Sequence, residues 1–110
     1  MIDTTISHLR KRIEQDEALK SENKQELIEL LERLQAEIDE LALADQEHAE
    51  SITRFTQAST HETLRKEKVP ELHKLSLEGL QASVAGFENS HPRLVETVNS
   101  ICVALSNLGI

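Results

Sequence analysis

The chain has 110 residues, a net charge of −8, and two Phe but no Tyr or Trp. That length holds one domain, 1–110, with a core built from Leu, Ile, Val and Ala, and small aliphatic cores are often supplemented by association. The acidic balance repels phosphate backbones and no basic cluster interleaves with aromatics, so nucleic acid is excluded as a partner.

The charge is placed unevenly. Residues 1–50 hold fourteen acids and six bases, whereas residues 51–110 hold six of each. The start, MIDTTISHLRK, has no apolar run behind positive charge, so it does not read as a signal peptide. No apolar stretch approaches the roughly 18–20 residues that cross a bilayer. The uncharged tail from Thr97 is too short and is interrupted by Asn99, Ser100, Ser106 and Asn107. The expectation is a soluble cytoplasmic protein with no membrane partner.

Sixty-nine residues precede the first proline, Pro70, and the first glycine is Gly79. No stretch alternates apolar and polar residues long enough to suggest a strand. The chain reads as all-α, with four to five helices forming antiparallel hairpins in a coiled-coil-like bundle, near 4–19, 22–43, 46–66, 70–88 and 91–107.

In chain order, Ile2, Ile6, Leu9 and Ile13 share one helical stripe that fades at Asp16-Glu17. Ser21 is a plausible N-cap, with Glu22 favouring the helix dipole. Leu27, Leu31, Leu34, Ile38 and Leu41 step 4, 3, 4, 3 and form a filled seam. The seam fails at Asp45 and His48. Either a turn lies at Ala44-Asp45 with Asp45 as N-cap, or the helix continues through a polar gap; the turn is preferred. Ile52 and Phe55 restore a short apolar face. The run TQASTHET, Thr56 to Thr63, is rich in hydroxyls that compete for backbone hydrogen bonds, so it is expected to be the most mobile region.

Val69 before Pro70 ends that segment, and Pro70 suits the first turn of the next helix. Leu77, Leu80, Val84 and Phe87 share a stripe with Leu72 and Leu75 alongside. Gly79 and Gly86, seven apart on this helix, suggest close approach of a neighbouring backbone. Ser51 to Phe55 weakly echoes Ser83 to Phe87, by duplication or, preferably, by chance. The last helix carries Leu94, Val98, Ile101, Leu105 and Leu108, again stepping 4, 3, 4, 3. Gly109 then falls where a left-handed residue often ends a helix, with Ile110 packing back on Leu105.

Ser90-His91-Pro92 reads as a structural helix start: Ser90 or Asn89 supplies the capping oxygen and Pro92 enters the first turn. Adjacent Ser and His side chains diverge and no third group orients the imidazole, so a nucleophilic site is not expected. Phe87-Glu88, Ser90-His91-Pro92, Leu94 and the ending Leu108-Gly109-Ile110 resemble the C-terminal signature of an uncharacterised bacterial family, Domain of Unknown Function 4404. The resemblance is good over residues 75–110 and looser over 4–41, while 45–70 looks like an insertion. Leu108 stands where Met is frequent. The resemblance implies a helical fold and a bacterial cytoplasm, and no activity.

Four other constellations are weighed. Asp45…His48 and Glu88…His91 have the spacing of di-metal bundles, but Glu88 and His91 straddle a helix boundary, so neither metal nor other cofactor is expected. His73-Lys74-Leu75-Ser76-Leu77 partly matches a histidine phosphotransfer motif, but lacks the Lys and Gly that follow its Leu. Phosphotransfer through His73 is therefore the alternative to the preferred reading. The Glu22–Glu50 stretch, ten acids against two bases, reads as a solvated face rather than an acidic mimic. Cys102, the only cysteine, reads as a buried small apolar residue. The last helix is apolar around much of its girth, which calls for burial on several sides. The preferred reading is a non-enzymatic, self-associating interaction or scaffold module. It forms a homodimer, with an unknown protein as a further partner, through Leu27, Leu31, Leu34, Ile38, Leu41, Leu94, Val98, Ile101, Leu105 and Leu108.

Overall fold

A computed structural model describes residues 2–109, with side chains described from residue 4 onward. Ile2 of the first stripe and the proposed Ile110 contact lie outside the described side chains. Five helices are present and, among the described residues, no strand: α1 (Ile2–Gln15), α2 (Ser21–Ala42), α3 (Gln46–Leu64), α4 (Pro70–Ser83) and α5 (Pro92–Leu108). The molecule measures 38 × 25 × 22 Å.

The directions of the helices follow from their cross-links. Arg10 pairs with Glu32 at 3.3 Å and Lys24 Nζ donates to the Glu14 carbonyl at 3.0 Å, so α1 and α2 run antiparallel. Ser59 Oγ donates to the Ser76 carbonyl and Thr63 contacts His73, so α3 and α4 form a second antiparallel hairpin. The short turn 43–45 folds α3 back along α2, so α3 runs parallel to α1, and Arg12 meets His61 between them. The central element is α3, which packs against all four other helices, while α2 packs against α1, α3 and α5.

Local chemistry sets the boundaries. Asp16 Oδ1 accepts from the Ala18 and Leu19 backbone N–H groups and closes the first turn. Asp45 caps α3 by accepting from the His48 N–H at 3.0 Å, as the turn reading expects. Lys20, rather than Ser21, occupies the α2 N-cap and makes no side-chain cap. Pro70 and Pro92 open their helices, where a missing N–H costs nothing. Neither Ser90 nor Asn89 caps α5. The N-cap is His91, without a side-chain bond to the helix, and Ser90 Oγ instead lies 3.1 Å from His91 Nδ1.

Two glycine expectations divide. At Gly79 a Cβ would come within 2.5 Å of Phe55 Cε1, so the close neighbour is a side-chain ring from α3 rather than the expected backbone. Gly86 sits in open space at φ +94°, in the turn after α4, which ends at Ser83 rather than near residue 88. A positive φ is what glycine supplies cheaply there. Gly109 is not left-handed: its φ is −83°, and a Cβ there would collide with the His73 ring. The two echoing pentapeptides also differ in setting, since Ile52 lies inside α3 while Val84 is the α4 C-cap.

The hydroxyl-rich segment is the main surprise. Thr53, Thr56, Ser59, Thr60 and Thr63 are buried and helical at the centre of the molecule. Each hydroxyl donates to the carbonyl four residues earlier, at 2.8–2.9 Å, so the side chain presents its methyl or methylene surface to the neighbours. Small side chains let α3 touch four helices at once. The C-terminal end of α3 is tied by Lys68 Nζ, which donates to the Thr63 carbonyl. Two of the hydroxyls also reach α4: Ser59 Oγ lies 3.0 Å from the Ser76 carbonyl, and Thr63 Oγ1 lies 3.0 Å from His73 Nε2. Thr60→Val therefore keeps stability within about 0.5 kcal/mol in urea melts, whereas Ser59→Ala, which removes an inter-helix hydrogen bond, costs about 1 kcal/mol.

Candidate functional site

The apolar seams do not reach the surface. Leu27, Leu31, Leu34, Ile38, Leu41, Leu94, Val98, Ile101 and Leu105 are all buried within one chain, and Leu108 is half-buried against the same cluster. The spacing assigns these ten residues to a subunit interface; folding places them in the protomer's own core instead. The reason is that α3 supplies the third wall between α2 and α5, through a face that hydropathy does not register as apolar.

What α5 leaves outside is a different stripe. Asn99, Val103 and Asn107 are exposed at i, i+4 and i+8, with Val103 61% accessible. No charged residue occurs from Thr97 to Gly109, and the middle of that stretch is Val103. Val103 and Asn107 form a ridge between two shallow grooves. One, of about 570 Å³, runs along the α2 side over Val95, Asn99 and Ala104, and Glu26, Glu88 and Glu96 rim it. The other, of about 510 Å³, lies between α4 and α5 over Leu77, Gln81 and Ser106. A bare ridge between two grooves is the surface that a second helix packs upon.

His73 lines the second groove but is not presented to it as a free base. Its Nε2 lies 3.0 Å from Thr63 Oγ1, and its ring rests on Gly109. The imidazole thus ties the ends of α3, α4 and α5 together. That arrangement leaves little room for a phosphoryl group at this nitrogen.

At the opposite end, the loop before α5 is clamped. Phe87 packs edge-on between the His48 ring, 4.6 Å between centroids, and the His91 ring, at 5.7 Å. His48 Nε2 donates to the Ser83 carbonyl at 2.9 Å, closing the end of α4. The acids of the two metal-like pairs are engaged locally: Asp45 caps α3, and both oxygens of Glu88 accept from the Gly86 N–H at 3.0 Å. Periodicity cannot reveal this clamp, because its members come from three separate segments.

Cys102 is 4% accessible and its thiol is pushed up to about 11 from an ordinary 9.0 by burial. A neutral buried thiol is a packing residue, as the sequence suggests. Native protein is expected to react with a thiol-specific chromophore at pH 8 only as fast as it opens, and unfolded protein at once. The unfolded thiol ionises first, so stability falls as pH rises from about 9 to about 11, and Cys102→Ala removes that slope.

The family model described as a domain of unknown function (DUF4404) matches residues 27–110. The chain belongs to the DUF4404 family. The match takes in most of α2 and all of α3, α4 and α5, and therefore both the exposed ridge and the Phe87 clamp. It also runs through residues 45–70, the segment that the resemblance implied to be an insertion. No curated protein and no solved structure matches this DUF4404 chain. None of its described helices is long and apolar enough to cross a membrane.

Proposed function

We propose that this DUF4404 protein is a non-enzymatic helical module that acts by protein contact, first of all with a second copy of itself, in the bacterial cytoplasm. The uncharged α5 ridge carries this reading. In a chain of net charge −8, two copies repel over most of their surfaces. The stretch centred on Val103 carries no charge of its own, with Glu26, Glu88 and Glu96 set back around the groove on its α2 side. An antiparallel pairing about a two-fold axis at Val103 sets Val103 against its symmetry mate. It also sets Asn99 against Asn107 of the second copy, twice, and primary amides both donate and accept. Glu96 then lies seven residues from the axis, about 10 Å along the helix.

The same geometry bounds the affinity. A 17-residue helix is about 25 Å long, and one helix pair with its flanking grooves buries less than the roughly 1,200–2,000 Å² of a standard interface. A dimer in the micromolar range or weaker is expected. The polar groups inside the protein support the non-enzymatic part, since its buried hydroxyls are consumed by helix carbonyls.

Light scattering across a concentration series tests the proposal. The mass is expected to rise from near 12.4 kDa towards twice that value between low micromolar and several hundred micromolar. A mass that stays at one chain throughout would overturn it.

A further inference from the structure

We propose that the groove between α1 and α3 binds an acidic helical segment of a partner protein, one that carries two carboxylates seven residues apart with an apolar side chain between them. This site is separate from the α5 ridge and does not depend on it. The groove, of about 410 Å³, is lined by His8, Leu9 and Arg12 from α1 and by Arg54, Ala58, His61 and Glu62 from α3.

Two guanidinium groups, Arg12 and Arg54, line the groove, and neither makes an ion pair among the described residues. Arg12 Nη1 donates to His61 Nδ1 at 3.1 Å, so its guanidinium is bonded to an imidazole lone pair rather than to a carboxylate. Arg54 is exposed and makes no ion pair among the described residues. Glu62, which also lines the groove, is paired with Arg65 at 2.9 Å and so neutralises neither Arg12 nor Arg54. Besides Glu62, α3 carries Glu47 and Glu50 towards its N-terminal end, and the longest run of acids is on α2. Because α1, α2 and α3 pack mutually, the α1–α3 groove opens away from α2, whose exposed positions include Glu22, Glu26, Asp39 and Glu40. One helix spacing of about 8–10 Å plus the side chains separates them, beyond a screening length of about 8 Å at physiological salt.

The spacing selects the ligand. Arg54 and His61 stand two turns apart on α3, about 10 Å, and Arg12 lies beside His61. A single phosphate is too small to engage both ends. The middle of the groove is Leu9 and Ala58, which favour an apolar side chain. Carboxylates at i and i+7 with a Leu at i+3 lie on one helical face and meet the two ends and the middle together. Guanidinium groups accept such carboxylates through paired hydrogen bonds.

The probe is a fluorescein-labelled, alanine-based peptide of about 16 residues, long enough to be partly helical, with that Glu/Leu/Glu pattern. Its anisotropy is followed with the full-length protein at low and physiological salt. Saturable binding is expected that weakens with salt, and about tenfold when both Glu become Gln or when Arg54→Gln is introduced. Lys74→Gln, on α4, is expected to leave binding unchanged. Four results overturn the proposal: no binding to the wild type, equal binding of the Glu and Gln peptides, full retention in Arg54→Gln, or displacement by an equal concentration of inorganic phosphate. Circular dichroism of Arg54→Gln keeps loss of fold separate from loss of the site.

Discussion

Leu34→Ala is expected to lower the unfolding free energy by about 3–5 kcal/mol, and to do so equally at all protein concentrations. Leu34 has no accessible surface and sits on α2, the helix enclosed by α1, α3 and α5. Truncation opens a cavity that neighbouring aliphatic side chains cannot fill without moving three helices. A domain of this size has about 5–15 kcal/mol in total, and a core without Tyr or Trp belongs to the weaker end. The midpoint of thermal unfolding should therefore fall by more than about 10 °C. Concentration dependence decides between two locations for the seam. Were Leu34 an interface residue, the variant's stability would approach that of the wild type on dilution, because both would be monomers. A deficit that persists on dilution places Leu34 inside the protomer.

Val103→Glu should have the opposite signature. Val103 is mostly solvent-exposed, so an isolated chain loses almost nothing when it becomes charged, and its thermal midpoint at low concentration should stay within a degree or two of the wild type. In the paired state two carboxylates would face each other across the axis in a chain that is already acidic. Like charges so placed cost several kcal/mol, and about 3 kcal/mol weakens self-association about 100-fold. Light scattering of the variant is expected to give the mass of one chain at concentrations where the wild type has begun to pair. Unchanged self-association would remove α5 from the interface and leave the apolar edge of α3 and α4, where Phe55, Leu72 and Leu75 are exposed, as the surface to test next.

These two variants mark the boundary between what periodicity reveals and what packing adds. The stripes of α2 and α5 were legible because Leu, Ile and Val recur every three to four residues, and each named seam residue does face inward. Periodicity reports that a face is buried, but not against what. It therefore assigned to a second chain a face that α3 covers. The missing signal was present in another form: Thr53, Thr56, Ser59, Thr60 and Thr63 keep the same three-to-four spacing, and counting Thr and Ser as core candidates continues the stripe from Ala49 and Ile52. Hydropathy hides this because a hydroxyl scores as polar until a helix carbonyl accepts its proton.

The basic groove shows the same limit for charge. His8, Arg10, Lys11 and Arg12 are adjacent in sequence, yet Arg10 turns to Glu32 on α2 while His8 and Arg12 turn to α3. Only the parallel alignment of α1 with α3 joins them to Arg54 and His61. Local rules were sufficient for the all-helical class, the Asp45 cap, the proline-led helix starts and the buried Cys102, since each depends on a residue and its neighbours within one or two turns. Where the surfaces lie was decided by the tertiary structure. Which face is core, which ridge stays bare and which cations share a groove depend on residues tens of positions apart, and helix packing alone brings those together.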